Sequence, residues 1–244
     1  ILYFRQSLAL RVQLNDQKGT AQSYTDIGAT FAELYQPDSA IANYLKSVEI
    51  NEKAGDFSSV ASGYGNIGNL YNDQKVHDKA IAYLEKALKI RLEHGEEKKC
   101  MYTYNNLATA YGTSGDIEKA MEYANKGIAI ALKYDNKFVA GVIEGGIGYL
   151  LIEKGKHEEA IIHCERSLQL LEEVNRTSNL VFPLANLATA YNGLNKPAQA
   201  LEYAMKGCAI MVETKQVDPL GVYYEEIAKA HEKMGNDKES LKWF

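Results

Sequence analysis

Apolar residues recur along this chain with the spacing of helices that bury one face. Tyr64, Ile67, Gly68 and Tyr71 share one side of a predicted helix, and Ala80, Ile81, Leu84, Ala87, Leu88 and Ile90 share one side of the next. Gaps of three and four residues are what a period of about 3.6 produces. The two-helix pattern returns at an offset of 40 residues, stacking Ile27-Gly28, Ile67-Gly68, Leu107-Ala108, Ile147-Gly148, Leu187-Ala188 and Ile227-Ala228 with no insertion. Four residues further on, a large column reads Phe31, Tyr71, Tyr111, Leu151, Tyr191 and His231. Small columns follow at Ala40, Ala80, Ala120, Ala160, Ala200 and Ser240, and at Ser7, Ser47, Ala87, Gly127, Ser167 and Gly207. A lone helix pair cannot cover its own apolar face, whereas stacked copies share one core, with small residues where backbones approach.

Helix breakers agree with this register. Gly115, Gly155 and Gly235 share a column between the two helices of a copy, and Gly55 and Gly95 share the column between copies; glycine at both places suits a helix C-terminus. Pro37 and Pro197 fall in the first turn of a second helix, where the missing N–H loses no hydrogen bond, and Asp218-Pro219 reads as cap and first position of the last copy. Pro183 lies a few residues inside its predicted helix and implies a delayed start or a kink. The spacing yields a partial copy at 1–15, full copies at about 17–56, 57–96, 97–136, 137–176 and 177–216, and a partial copy at 217–244. The chain opens with Ile1-Leu2-Tyr3-Phe4 and stops at Leu241-Lys242-Trp243-Phe244, both apolar and in mid-element, so it reads as a segment of a longer protein.

The segment Tyr104-x-x-Leu107-Ala108-x-x-Tyr111 with Gly115, then Ala120 and Ile130, resembles the tetratricopeptide repeat, and the resemblance covers essentially the whole chain. The period of 40 exceeds the usual repeat of about 34. It is similar to the long-repeat branch that includes kinesin light chain, the LGN/Pins polarity adaptors and the sensor portions of bacterial regulators. The resemblance implies an all-α, right-handed solenoid of antiparallel helix pairs, with about six repeats truncated at both ends and first helices lining the concave side.

At about 100° per residue, the first-helix face opposite the packed one carries Ser62, Asn66, Asn69 and Asp73 in one copy and Tyr102, Asn106, Thr109 and Thr113 in the next. The following two copies place Val142, Gly146, Tyr149 and Glu153, then Phe182, Asn186, Thr189 and Gly193, on that face. The apolar column Tyr102, Val142, Phe182 and Val222 either meets a partner or packs against neighbouring first helices. The amides Asn66, Asn106 and Asn186 offer donors and an acceptor together, so they can hold a peptide backbone whatever its sequence. In the long-repeat relatives such asparagines grip extended peptides; the alternative is that they solvate a helix or bond a neighbouring one. The candidate partner-binding residues are therefore Asn66, Asn69, Tyr102, Asn106 and Thr109, with Val142, Tyr149, Phe182, Asn186 and Thr189. Lysines reach this face only at Lys229 and Lys233, which argues against clamping of a terminal carboxylate.

Charge and composition narrow the function further. The net charge of −5 offers no footprint for nucleic acid or an anionic membrane surface. No apolar run approaches the roughly 20 residues needed to span a bilayer, and no signal peptide is visible. Cys100, Cys164 and Cys208 are odd in number and far apart, which suggests reduced thiols and a cytoplasmic setting; the sensor portion of a membrane-bound regulator would place the array in the periplasm instead. His157 and His163 lie six residues apart, poor spacing for shared metal ligation. Gly145-Gly146-Ile147-Gly148 falls within a helix rather than after a strand, so it reads as local softening and not a phosphate loop. Asn175-Arg176-Thr177 is a formal glycosylation acceptor of a kind common by chance. No catalytic constellation, metal site or cofactor site emerges. The expectation is a protein-interaction scaffold holding a peptide or protein segment in its groove, with end-to-end self-association open through the apolar ends. The alternative is the sensory input module of a larger signalling protein.

Overall fold

A computed structural model describes residues 2–215 and 220–243; Asp218-Pro219 lies outside the described residues. Among these residues every regular element is helical. The chain forms two compact units, Ile1–Ile130 and Ala131–Phe244. The first contains α1 (Leu2–Gln13), α2 (Gln17–Glu33), α3 (Pro37–Ala54), α4 (Phe57–Asp73), α5 (His77–Glu93) and α6 (Glu97–Ser114). Helix α7 (Ile117–Lys133) carries the boundary. The second contains α8 (Lys137–Glu153), α9 (His157–Glu173), a 3-10 turn (Thr177–Asn179), α10 (Val181–Gly193), α11 (Pro197–Thr214), α12 (Leu220–Lys233) and α13 (Asp237–Ser240). No helix of the described residues is long and apolar enough to cross a membrane.

Beneath the 40-residue repeat lies a 20-residue half-period. Left-handed backbone recurs at Asn15, Tyr35, Gly55, Lys75, Gly95 and Gly115 in the first unit, and at Asp135, Gly155, Asn175, Asn195, Lys215 and Gly235 in the second. The residue after each left-handed position in the first unit closes the preceding helix, as where the Asp56 N–H donates to the Asn51 carbonyl at 2.9 Å. This is the closure that satisfies the orphan carbonyls of a helix end. Several of these same residues start the next helix: Asp16, Asp56 and Asp116 accept from the N–H groups of Gly19, Ser59 and Lys119, and Asn136 from that of Val139. One residue thus ends one helix and caps another, a cap worth about 1 kcal/mol. Pro37 and Pro197 occupy the first positions of α3 and α11, as the sequence predicts. The delayed start implied by Pro183 is also present, since α10 begins only after the 3-10 turn and runs 13 residues.

Packing follows the small columns. Ala40, Ala80, Ala120, Ala160 and Ala200 have no exposed surface. A Cβ on Gly68 would lie 2.7 Å from Leu84 Cγ, so α4 and α5 approach as closely as they do only without it. Gly141, Gly145 and Gly148 of α8 act similarly, whereas a Cβ on Gly146 would meet nothing within 4 Å, and the helix runs through all four without a break. Rings reinforce each pair: Tyr71 stacks on Tyr83 at 5.6 Å, Tyr111 on Tyr123 at 5.3 Å and, in the second unit, Tyr191 on Tyr203 at 5.4 Å. Such pairs contribute about 0.5–1.5 kcal/mol beyond their buried area.

The copy at 137–176 departs from this ladder. Its ring positions hold Leu151 and His163, and the position of Tyr64 and Tyr104 holds Glu144. The Glu144 carboxylate is 1 % exposed. It accepts from His163 Nδ1 at 2.7 Å and faces Arg166 Nε at 3.3 Å. A buried carboxylate persists only when its charge is met in this way.

Within each unit, first helices also pack on the first helices of the next copy: α4 on α6, then α8 on α10 and α10 on α12. The ties run at an offset of 41. Thr113 Oγ1 donates to Asn72 Oδ1 at 2.7 Å, Asn186 Nδ2 to the Gly145 carbonyl at 3.1 Å, and Lys233 Nζ to the Asn192 carbonyl.

Candidate functional site

Two stretches of first-helix surface carry the predicted site residues, one in each unit. In the first unit α4 presents Asn66 and Asn69, and α6 presents Tyr102, Asn106 and Thr109. Asn66 and Asn106 are half-buried, while Asn69, Tyr102 and Thr109 are exposed. Thr109 Oγ1 donates to the Asn105 carbonyl one turn back, and Ser62, on the same face of α4, donates to the Ser58 carbonyl. The side-chain amides of Asn66, Asn69 and Asn106 have no hydrogen-bond partner among the described residues. An amide held at a helix surface with its donors and acceptor unspent is ready for an incoming backbone.

In the second unit Val142, Tyr149, Phe182 and Val222 lie on three successive first helices. With Tyr102 of the first unit they are 36–50 % exposed. Of the two readings open for this column, complete burial against neighbouring helices is not observed. The contact is partial: the rings of Tyr149 and Phe182 meet at 6.3 Å, tilted by 41°. Thr189 is half-buried and its hydroxyl donates to the Ala185 carbonyl at 3.1 Å.

Asn186 departs from the expectation. It is 6 % exposed, and its NH2 is engaged by the Gly145 carbonyl. Its amide ties α10 to α8 instead of facing solvent, which is the helix-bonding alternative for this column. The ties made by Thr113 and Lys233 were not anticipated from the sequence. Comparison at an offset of 41 rather than 40 is the signal that could have revealed them.

The lysines at the end of the face are occupied. Lys229 pairs with Glu225 at 2.7 Å and Glu226 at 3.1 Å, and Lys233 holds the Asn192 carbonyl. Burial pushes the Cys164 thiol up to about 12 despite the neighbouring Asn186 amide, so the thiol stays neutral and unreactive. Burial and the Glu52 carboxylate, which accepts the Tyr64 hydroxyl at 3.0 Å, hold that hydroxyl up at about 12. Among the described residues no group of three or more His, Cys, Asp or Glu side chains is placed to hold a metal.

Stacked helix pairs with a partly exposed, charge-poor first-helix face define a helical-repeat protein. The tetratricopeptide repeat model matches residues 59–133 and 140–211, more than half of the chain, and the chain belongs to that family. No curated protein matches it in sequence. Among solved structures it is similar to BtubC (BKLC) from P. vanneervenii, at 18% identity over 89% of this chain and 92% of that one, with a TM-score of 0.78. It is also similar to the nearly identical TPR-like repeats of a Podosopora anserina putative kinesin light chain, at 19% identity over 77% and 92% of the two chains, TM-score 0.63. A third likeness is to a Pyrococcus horikoshii signal transduction ATPase with a tetratricopeptide repeat sensor, at 18% identity over 93% of this chain and 36% of that one, TM-score 0.77. At these identities the likeness is one of fold.

Proposed function

We propose that the chain is a non-catalytic scaffold whose first helices hold a segment of another protein. The observation that carries this reading is the surface of α4 and α6, where Asn66, Asn69 and Asn106 keep unspent amides beside the exposed ring of Tyr102. Backbone groups of an extended segment satisfy such amides without regard to sequence, and the ring supplies apolar contact. The second unit has a face of its own, with the exposed side chains Val142, Tyr149 and Phe182 and the hydroxyl-bearing Thr189. Asn186 supports this face from beneath.

The test is capture from the source organism with the wild-type chain, Asn66→Ala/Asn106→Ala and Phe182→Glu, followed by affinity measurement on the captured protein. The expected result is a partner lost from at least one of the two variants while their helical content and melting stay at the wild-type level. Equal capture by all three proteins would refute the reading.

A second reading, an input module that senses such a segment for a larger signalling protein, draws on the likeness to the signal transduction ATPase, whose repeats are named a sensor. An open reading frame without any signalling domain beside this segment would count against it.

A further inference from the structure

The candidate face of the second unit contains a gap. The column that holds Asn66, Asn106 and Asn186 holds Gly146 in α8. The other glycines of α8 are accounted for by packing. A Cβ on Gly141 would lie 2.9 Å from Leu171 Cγ, and one on Gly145 would lie 3.1 Å from Ser167 Oγ and 3.4 Å from the Phe182 ring. Gly148 is closed in by Cys164 Sγ. A Cβ on Gly146 would meet nothing within 4 Å. A mid-helix glycine weakens a helix by about 1 kcal/mol relative to alanine, and no neighbour requires this one.

What Gly146 leaves on the helix surface is open space. Val142 and Tyr149, four residues before and three after, are its neighbours along the helix surface. Phe182 lies with its ring against Gly145 and 6.3 Å from Tyr149, on the side toward α10. These three side chains are apolar and partly exposed. None of Val142, Gly146, Tyr149, Phe182, Asn186 and Thr189 is charged, and Glu153, the carboxylate on this face of α8, lies seven residues beyond Gly146, so a charged group entering here would lose hydration with no adjacent counter-charge. A large aliphatic or aromatic side chain would bury its surface against the rings.

Resting on the reading of this face as protein-binding, we propose that the open space over Gly146 is the specificity pocket of the second unit, taking one large uncharged apolar side chain of the bound segment. The decisive variant is Gly146→Asn, which installs the residue that α4, α6 and α10 carry in the same column. A random peptide library is selected against the full wild-type chain and against this variant, and affinities of synthesised winners and their alanine replacements are read by fluorescence anisotropy. Wild type is expected to select peptides sharing one Leu, Ile, Met, Phe or Trp position, whose replacement by Ala weakens binding about tenfold or more. In Gly146→Asn the same replacement is expected to cost less than about twofold, with circular dichroism and melting confirming the fold. Wild-type winners without a shared apolar position, or an equal alanine penalty in both proteins, would overturn the pocket and leave the interaction reading standing. Failure of the wild type to select any peptide would overturn both.

Discussion

The side-chain amide of Asn186 donates to the carbonyl oxygen of Gly145, 3.1 Å away and 41 residues earlier in the chain. The bond joins two first helices and removes from the exposed face an amide that shares its sequence column with Asn66 and Asn106. Asn186→Ala is expected to cost about 1–3 kcal/mol, because it removes a buried interhelical hydrogen bond and leaves a small cavity. Asn106→Ala should stay within about 0.5 kcal/mol of wild type and act on binding instead. Urea unfolding of the two variants separates the roles; equal losses would contradict the assignment.

The left-handed turns make a second contrast. Tyr35 is 94 % exposed and has a φ of 55°, while Gly55 sits at 70°. A side chain in this region costs about 1–2 kcal/mol, part of which glycine returns as entropy of the unfolded chain. Tyr35→Gly should stabilise by up to about 1 kcal/mol, and Gly55→Ala should destabilise by about 1 kcal/mol. Calorimetric melting reads both, and a lower Tm for Tyr35→Gly would show that its ring holds something.

The buried Glu144–His163 pair should respond asymmetrically. His163→Ala leaves the carboxylate with Arg166 alone and is expected to cost about 3 kcal/mol or more. Glu144→Tyr/His163→Tyr restores the ring pair seen at Tyr64–Tyr83 and Tyr104–Tyr123. It should be neutral or stabilising by about 1–4 kcal/mol, as replacement of buried ion pairs often is. A double-mutant cycle on unfolding free energies gives the answer; a silent His163→Ala would remove the pair from the core's energetics.

Alkaline pH should weaken the first unit through Tyr64. Its hydroxyl is held up at about 12 by burial and then by Glu52, whereas an unfolded tyrosine ionises near 10. The folded state therefore keeps a proton that the unfolded state gives up. The resulting stability is fully present below about pH 10 and is lost as pH rises toward about 12. Chemical unfolding across that window should show the fall, and Tyr64→Phe should shrink it. An identical pH profile in the variant would contradict the linkage.

Much of the fold was legible because burial repeats. Each copy must cover the same face, so Ile67-Gly68, Leu107-Ala108 and Ile147-Gly148 reveal both the period and the packed side without any tertiary information. The half-period was harder to see. Its left-handed positions hold residues as different as Asn15, Tyr35, Lys75 and Gly115, since the turn conformation is imposed by two helices meeting head to tail and only partly by residue type.

By itself, the sequence determined the helix pairs, the columns repeated every 40 residues and the face on which Asn66, Tyr102, Asn106 and Phe182 lie, all of them consequences of helical period. Tertiary structure alone decided which amides remain unspent, that Glu144 finds His163 in place of a ring, and that Gly146 leaves space while Gly145 and Gly148 do not. Those outcomes depend on distances of a few ångströms between helices tens of residues apart, and a column of similar residues carries no record of such distances.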